Sequence, residues 1–259
     1  MKLRLAGRRI VVTGSGGISG ATVMRCAAEG ASIHVITRNP ATAAGLAAGS
    51  PNVTWSTADL SSDPESRAAF DEAESALGGI DGLVAVAGGS ARRMGDGPID
   101  QLSVEGLNAT VALNLATATN SLREFISRWL ERPTDASWAS AVLIGSTLGR
   151  FPASPLFSTH AYAATKAAIE GVARAAAGQY SHDRLTVNVV APGLTRTPMA
   201  QRAQEDMLVS AYACKRQPLA DQGFVDPDDV AAACEWVLTA RVVTGQVIYV
   251  DGGWSVFGG

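Results

Sequence analysis

Short apolar runs alternate with alanine-rich segments along this chain of 259 residues. The runs have the length and composition of buried strands, and they are Ile10–Val12, Ile33–Ile36, Gly82–Val86, Ala141–Ile144, Thr186–Val190 and Gln246–Val250. The alanine-rich segments between them are compatible with helices. Strands that alternate with helices predict βαβ units, and continuous apolar strands predict a parallel sheet that is covered on both faces. We therefore expect an α/β fold with a doubly wound parallel sheet in a three-layer α/β/α arrangement.

Nothing in the sequence divides this fold into two domains. A length of 259 residues fits one large α/β domain, and no Pro/Gly/Ser-rich linker or run of charges interrupts it. The composition is 47% hydrophobic and 17% charged, yet no apolar stretch approaches the roughly 18 residues that a membrane span requires. We expect a single domain over residues 1–259 that does not enter a membrane.

Charge, cysteine content and the amino-terminal segment narrow the class of partner. A net charge of -3 gives no basic footprint for nucleic acid. The cysteines Cys26, Cys214 and Cys234 are odd in number and far apart, which favours reduced, buried thiols over disulfides or a metal site. The chain passes into its first strand without a signal-peptide core, which predicts a cytoplasmic protein. These features leave small-molecule chemistry without a metal.

The most informative side chains are Tyr162 and Lys166, with Ser146 upstream. Residues four apart lie on one face of a helix, so the phenol and the ammonium are expected to be neighbours. A free phenol has a pKa of about 10 and is a poor base at neutral pH, but a nearby positive charge favours its phenolate. The Ser146 hydroxyl could hold a carbonyl or alcohol oxygen against that phenol. This set indicates acid/base chemistry on a C–O bond.

A glycine-rich turn follows the first predicted strand and leads into a helix. It reads Thr-Gly-Ser-Gly-Gly-Ile-Ser-Gly over residues 13–20. Backbone N–H groups and the positive end of a helix could hold a pyrophosphate at such a turn. The alternative interpretation is a glycine-rich turn that binds no ligand.

Five motifs together resemble the classical short-chain dehydrogenase/reductase family, and the resemblance extends from Leu5 to Gly253. The motifs are the glycine turn at 13–20, Asn114, Ser146, the Tyr162–Lys166 run and Pro192–Thr197. The resemblance implies a Rossmann-type fold, a nicotinamide cofactor and interconversion of a ketone and a secondary alcohol by hydride transfer. The 3-oxoacyl-carrier-protein reductases are the kind of enzyme that the motifs are most similar to.

The resemblance also assigns roles to four candidate catalytic residues. Asn114 would bend a helix and hold a water through its backbone carbonyl, with a helix asparagine satisfied by backbone as the alternative. Ser146 would orient the substrate oxygen and Tyr162 would transfer the proton. Lys166 would bind the nicotinamide ribose and lower the pKa of Tyr162.

The cofactor set that the resemblance implies is drawn from the turns after the strands. It comprises Gly14, Ser15, Gly17, Ile18, Arg38, Asp59, Leu60, Ala87, Gly88, Tyr162, Lys166, Pro192, Gly193 and Thr197. Two places depart from the family pattern. The usual Thr-Gly-x-x-x-Gly-x-Gly has Ile18 at its middle glycine when aligned without gaps, or Ser19 at its last glycine when one residue is deleted. The usual Asn-Asn-Ala-Gly is Ala-Val-Ala-Gly at residues 85–88.

Arg38 decides the expected form of the nicotinamide cofactor. An NAD enzyme usually places an acid at the end of the second strand, where it holds the ribose hydroxyls. Here Thr37 is followed by Arg38, and a guanidinium is suited to a 2′-phosphate. We expect NADP(H) in preference to NAD(H), with a solvated arginine as the alternative.

Three segments are expected to shape substrate entry and assembly. Arg92 and Arg93 follow the fourth strand and either attract a carboxylate- or phosphate-bearing carrier or form a solvent-exposed basic loop. Residues from about 198 to 220 would form the substrate lid that the resemblance implies. The stretch from Val243 to Gly253 resembles a family segment used in subunit packing, which implies a homo-oligomer, either a tetramer or a dimer.

The sequence thus predicts an NADP(H)-dependent oxidoreductase that acts on a ketone such as a 3-oxoacyl or other apolar carbonyl compound. Two alternatives stay open. One is a catalytically weak nucleotide-binding regulatory or scaffold protein on the same fold. The other is an eliminating or dehalogenating lyase, against which the presence of Lys166 and Gly14 argues.

Overall fold

A computed structural model describes residues 3–132, 137–152 and 155–256. Within these ranges, seven strands form one sheet: β1 Arg9–Thr13, β2 Ser32–Thr37, β3 Val53–Thr57, β4 Gly82–Ala85, β5 Ala139–Ile144, β6 Leu185–Pro192 and β7 Val247–Val250. Their order is β3-β2-β1-β4-β5-β6-β7, and every neighbouring pair is parallel. The strand order reverses between β1 and β4, and a doubly wound sheet binds ligands at such a switch point.

Helices connect the strands and cover the sheet. They are α1 Ile18–Ala28, α2 Pro40–Gly49, α3 Asp63–Leu77, α4 Val104–Thr110, α5 Thr117–Leu130, α6 His160–Tyr180, α7 Gln201–Glu205, α8 Met207–Arg216 and α9 Pro227–Thr239. A π-helical turn, Val111–Ala116, joins α4 to α5. None of the helices described is both long and apolar enough to cross a membrane.

The core lies in two layers, one on each face of the sheet. Helices α1, α2 and α9 pack on one face, and α3, α5 and α6 pack on the other. Strand β1 shows how one strand serves both layers, since Ile10 and Val12 face the first and Val11 faces the second, all fully buried. Each such side chain contributes about 1.5 to 3 kcal/mol when removed from water. The expected three-layer α/β/α architecture is confirmed.

Strand β3 is absent from the six apolar runs that predicted the sheet. It lies at the edge and pairs only with β2. Of its five residues only Val53 and Trp55 are apolar, because an edge strand that faces solvent needs no continuous apolar run. The other six strands coincide with the predicted runs.

The cysteines are only partly as expected. Cys26 and Cys234 are buried, and burial raises the pKa of the Cys26 thiol to about 12 and also raises the pKa of Cys234. Cys214 is exposed on α8, so the expectation that all three are buried is wrong. The sequence around Cys214 mixes apolar and charged residues, and its helix packs on the molecule through Val209 and Ala213 instead.

His34 is a buried polar residue at the edge of the sheet. Its Nδ1 lies 2.9 Å from Thr54 Oγ1 and its Nε2 lies 2.9 Å from Ser56 Oγ, both on β3. Burial lowers the pKa of His34 to about 4. Between pH 6.5 and 4 the unfolded chain therefore binds more protons at this residue than the folded protein does, so stability decreases as the pH decreases through this range.

We predict that His34→Gln removes a part of this pH dependence. In the natural protein, protonation of His34 in the unfolded chain should lower the unfolding free energy by about 2 to 3 kcal/mol as the pH decreases from 6.5 to 4. The variant should show a smaller decrease over the same range, measured by urea unfolding at several pH values. His182→Gln, which changes an exposed histidine, is the matched control. Parallel curves for His34→Gln and the natural protein would contradict the prediction.

Candidate active site

A cavity of about 660 Å³ opens at the carboxyl ends of the strands. The sequence-predicted site residues all line it: Gly14, Ser15, Gly17, Ile18, Arg38, Asp59, Leu60, Ala87, Gly88, Asn114, Ser146, Tyr162, Lys166, Pro192, Gly193 and Thr197. They come from the turns that follow β1 to β6, from the π-helical turn Val111–Ala116 and from α6. The structure therefore brings the candidate catalytic residues and the candidate cofactor residues into one cavity.

Ser146, Tyr162 and Lys166 form the reacting end of this cavity. Ser146 follows β5 in extended conformation, and its Oγ accepts a hydrogen bond from Leu148 N at 3.2 Å. The Ser146 hydroxyl also lies near enough to the Tyr162 phenol to lower its pKa. Lys166 lies one turn further along α6, with Nζ 5.6 Å from the centroid of the Tyr162 ring. The neighbouring Thr147 instead directs its hydroxyl to Pro192 O at 3.4 Å.

Burial dominates the electrostatics of these groups. Burial raises the pKa of Tyr162, while the Ser146 hydrogen bond lowers it. Burial lowers the pKa of Lys166 to about 8. The sequence-based expectation was that Lys166 sets a low pKa for Tyr162. The ammonium instead donates to Ile144 O at 2.9 Å, and desolvation of the phenol is the larger effect.

Asn114 joins the helix layer to the loop after β4. It lies in the π-helical turn and is buried. Its Nδ2 donates to Gly89 O at 2.9 Å and to Thr110 O at 3.0 Å, and its Oδ1 accepts from Gly89 N at 3.2 Å. A Cβ atom at Gly88 would lie 2.8 Å from Asn114 Oδ1, so this close approach requires glycine. The irregular helix agrees with the expected bend.

Asp96 is a site residue that sequence reasoning missed. Its carboxylate is buried with 3% exposure and accepts three hydrogen bonds. The donors are Ala161 N at 3.1 Å, Tyr162 N at 3.1 Å and Thr110 Oγ1 at 3.2 Å. A carboxylate at the first turn of a helix satisfies free N–H groups and complements the helix dipole. Asp96 therefore fixes the start of the helix that carries Tyr162 and Lys166.

We predict that Asp96→Asn weakens both the fold and catalysis. The amide can accept from one backbone N–H group but turns a donor toward the other, which should cost about 1 to 3 kcal/mol of unfolding free energy. Turnover per folded molecule should also decrease, because the first turn of α6 positions Tyr162. Urea unfolding and kcat measured well below the melting transition check the two effects.

Asp100→Asn, at an exposed position of the same loop, is the matched control. If Asp96→Asn is destabilised but keeps the kcat of the natural protein, Asp96 contributes to stability and does not position Tyr162 for catalysis.

The glycine turn adopts backbone conformations that favour glycine. Gly14 has φ 85° and Gly17 has φ 54°. Gly17 is the N-cap of α1, and Ile18 is the first helical residue. Ser19 packs on Gly14, since its Oγ lies 3.0 Å from where a Gly14 Cβ would be, and it donates to Gly16 O at 2.8 Å.

The loop after β4 is braced by a threonine. Thr13 Oγ1 accepts from both Val86 N and Ala87 N, each at 3.0 Å. The sequence has Ala85 and Val86 where the family pattern has two asparagines. Thr13 supplies two bracing hydrogen bonds from β1, so the backbone at Ala87 and Gly88 stays fixed beside the cavity.

The turn after β2 forms the polar end of the cavity. Arg38 Nη1 lies 3.8 Å from Asp59 Oδ2, and both side chains are partly exposed. Hydrogen bonds from the Ser61 hydroxyl and N–H lower the pKa of Asp59, burial opposes them, and the Arg38 charge lowers it further. Beneath Arg38, Thr37 Oγ1 lies 3.0 Å from Ser15 Oγ. Sequence reasoning gave Arg38 and Asp59 separate roles and did not foresee their contact.

The turn after β6 meets the glycine turn across the cavity. Gln217, which is fully buried, holds this turn by accepting from Leu194 N at 2.7 Å and donating to Leu194 O at 3.0 Å. The Thr197 side chain lies against Gly17, where a Cβ would be only 2.8 Å from Thr197 Cγ2. A side chain at position 17 would therefore collide with Thr197, so glycine is what allows the two turns to approach this closely.

Comparison with known proteins agrees with this geometry. The family model described as Enoyl-(Acyl carrier protein) reductase matches residues 12–255. The chain is 29% identical over 256 residues to 2,5-dichloro-2,5-cyclohexadiene-1,4-diol dehydrogenase of Sphingobium indicum, covering 97% of this chain and 98% of that protein. It is 28% identical over 267 residues to glucose 1-dehydrogenase of Gluconobacter oxydans, covering 99% of this chain and 95% of that protein.

Solved structures give the same result. A short-chain type dehydrogenase/reductase from Mycobacterium ulcerans superposes with a TM-score of 0.87 at 29% identity, over 98% of this chain and 91% of that one. A gluconate 5-dehydrogenase from Burkholderia cenocepacia, in complex with NADP and tartrate, gives 0.86 at 28% identity, over 98% and 97%.

The chain belongs to the short-chain dehydrogenase/reductase family. It is an oxidoreductase that acts on CH–OH or C=O groups with a nicotinamide cofactor, as its dehydrogenase relatives do.

Proposed function

We propose that the protein is an NADP(H)-dependent reductase that interconverts a ketone, such as a 3-oxoacyl or other apolar carbonyl compound, and a secondary alcohol. The observation that carries this proposal is that Ser146, Tyr162 and Lys166 line one cavity, with Lys166 Nζ 5.6 Å from the centroid of the Tyr162 ring. The same cavity contains the glycine turn and Arg38, so a cofactor and a carbonyl compound can meet beside the phenol.

The chain's own residues supply binding and proton transfer. The Ser146 hydroxyl holds the carbonyl oxygen next to Tyr162, and Tyr162 donates its phenolic proton to that oxygen. The bound nicotinamide supplies the hydride. Lys166 Nζ donates to Ile144 O at 2.9 Å, and its other two N–H groups are free to hold ribose hydroxyls. The positive charge of the Lys166 ammonium stabilises the phenolate that remains on Tyr162 after proton transfer.

The remaining expectations follow from this assignment. Thr197 would hold the carboxamide of the nicotinamide, and Asn114 would support the proton relay. Helices α7 and α8, with the turns beside them, would form a substrate lid over about 198–220, with its exposed Met199 and Leu208 facing the substrate side. We also propose a single-domain protein of the cytoplasm that assembles as a homo-oligomer.

Arg38 and the hydroxyls beneath it support NADP(H) over NAD(H). The turn Thr37-Arg38-Asn39 carries no acid at the end of β2, and Ser15, Thr37 and Arg38 all line the cavity there. Asp59 lies beside Arg38, but a 2′-phosphate offers the guanidinium a doubly charged partner. The gluconate 5-dehydrogenase relative was solved with NADP, which supports the same choice.

We predict that Tyr162→Phe abolishes most turnover and leaves cofactor binding intact. Loss of a general acid should reduce kcat by at least about a hundredfold. NADPH binding, measured by calorimetry, should be that of the natural protein because the phenol hydroxyl is directed to the substrate oxygen. Tyr180→Phe makes the same chemical change at the other end of α6 and should be without effect.

Turnover of carbonyl compounds by the natural protein separates the proposed function from its rivals. Binding of NADPH without turnover of any ketone would favour a nucleotide-binding scaffold protein. Loss of substrate in the absence of a cofactor would favour a lyase. Near-normal turnover by Tyr162→Phe would remove the phenol from its assigned role.

We predict that Arg38→Gln reverses the cofactor preference. Loss of a hydrogen-bonded ion pair to the 2′-phosphate should raise the NADPH dissociation constant by about tenfold to a hundredfold. Asp59 would then face the phosphate without its cationic neighbour. The NADH dissociation constant should change little, and calorimetry with both cofactors checks the two values. Arg93→Gln is the control, and equal weakening of both cofactors would contradict a role in phosphate recognition.

A further inference from the structure

Two arginines from distant parts of the chain line the same cavity. Arg92 begins the short turn Arg92–Met94 after β4, and Arg202 lies on α7. Both side chains line the cavity together with Ser146 and Tyr162, and both are accessible to solvent. A ligand in the cavity can therefore reach both guanidinium groups.

Neither guanidinium forms an ion pair with a carboxylate in the part of the chain that the structure describes. The ion pairs within residues 3–132, 137–152 and 155–256 include neither Arg92 nor Arg202. Partial burial lowers the pKa of Arg92, the neighbouring Arg202 charge lowers it further, and Asp96 raises it. The two positive charges are thus close enough to repel each other. Holding them together without an anion costs free energy that a bound anion would recover.

Asp96 does not serve as that anion, because its oxygen atoms are already occupied. They accept from Ala161 N, Tyr162 N and Thr110 Oγ1. Arg92 belongs to the same compact turn as Asp96, since Asp96 N donates to Ala91 O at 3.2 Å. Asp96 also accepts from Tyr162 N, so this turn meets the first turn of the helix that carries Tyr162.

The walls around the reacting end are apolar. Phe157 and Trp254 line the cavity, and their rings pack edge to face with centroids 5.5 Å apart. Tyr212 on α8 packs against both, at 5.9 Å and 5.8 Å. A substrate for this space has an apolar body between its carbonyl group and any charged end. The two arginines are the cationic side chains placed to receive that end.

We propose that Arg92 and Arg202 together bind a carboxylate or phosphate group on the carbonyl substrate, while its ketone lies between Ser146 and Tyr162. The substrate class is therefore an anionic oxo compound, with the oxyanion separated from the ketone by an apolar segment. Each guanidinium offers a planar fork of donors to an oxyanion. This inference rests on the proposed function and adds the charge of the substrate to it.

A series of oxo acids and their esters tests this inference. The probes are 3-oxobutanoate, 4-oxopentanoate, 5-oxohexanoate and 6-oxoheptanoate with their methyl esters, which vary the spacing and remove the charge. The ratio of kcat/KM for acid over ester is measured for the natural protein, Arg92→Gln, Arg202→Gln and Arg93→Gln. Arg93 is exposed and does not line the cavity, so its variant is the matched control.

We expect the natural protein to favour at least one acid over its ester. Arg92→Gln and Arg202→Gln should each lower that ratio by about tenfold to a hundredfold, and Arg93→Gln should leave it unchanged. Calorimetric binding of the acids to the protein with NADP⁺ gives the same comparison without turnover. Charge-selective binding without turnover would uphold this inference and overturn the reductase assignment.

Three results would overturn the inference itself. The first is a natural protein that neither binds nor reduces any of the acids in preference to its ester. The second is an unchanged acid-to-ester ratio in both variants. The third is a ratio that is preserved while the NADPH dissociation constant increases, which would assign the arginines to the diphosphate of the cofactor.

Discussion

The parallel sheet is the constraint on which the rest of the structure depends. A parallel strand can be joined to its neighbour only by a crossover that returns to the starting edge. Every turn that follows a strand therefore lies at the same edge. Gly14, Asp59, Gly88, Ser146 and Pro192 are far apart in sequence, yet each follows a different strand of the sheet. The cavity is a direct product of this topology.

Helix α6 carries Tyr162 and Lys166, and its position depends on polar contacts at buried sites. The Lys166 ammonium is only 5% exposed and donates to Ile144 O, although burial of a charge is costly. Asp96, buried equally well, holds the first turn of the same helix. Asp96 holds the start of the helix at Ala161 and Tyr162, and the Lys166 contact holds the helix one turn later. The backbone that carries the phenol is therefore fixed at both of these points.

Much of this could be predicted from the sequence because the relevant signals are local. The strands of the sheet interior are continuous apolar runs, and the pair Tyr162 and Lys166 is set by the period of one helix. Strand β3 gave no such signal because only Val53 and Trp55 of its five residues are apolar. Asp96 could not be predicted either, since its contacts with α6 span 65 and 66 residues of sequence. The proximity of Arg92 to Arg202 likewise arises only when the loop after β4 and helix α7 come to line one cavity in the fold.

The distribution of the cysteines has a practical consequence. Cys26 and Cys234 are buried, and their raised pKa values keep them as unreactive thiols at neutral pH. Cys214 is exposed on α8, two residues from Tyr212, whose ring packs against Phe157 and Trp254 at the wall of the cavity. A maleimide dye added to the natural protein would therefore attach to α8 alone. The chain carries its own labelling position for observing, by fluorescence, how that helix responds when ligands enter.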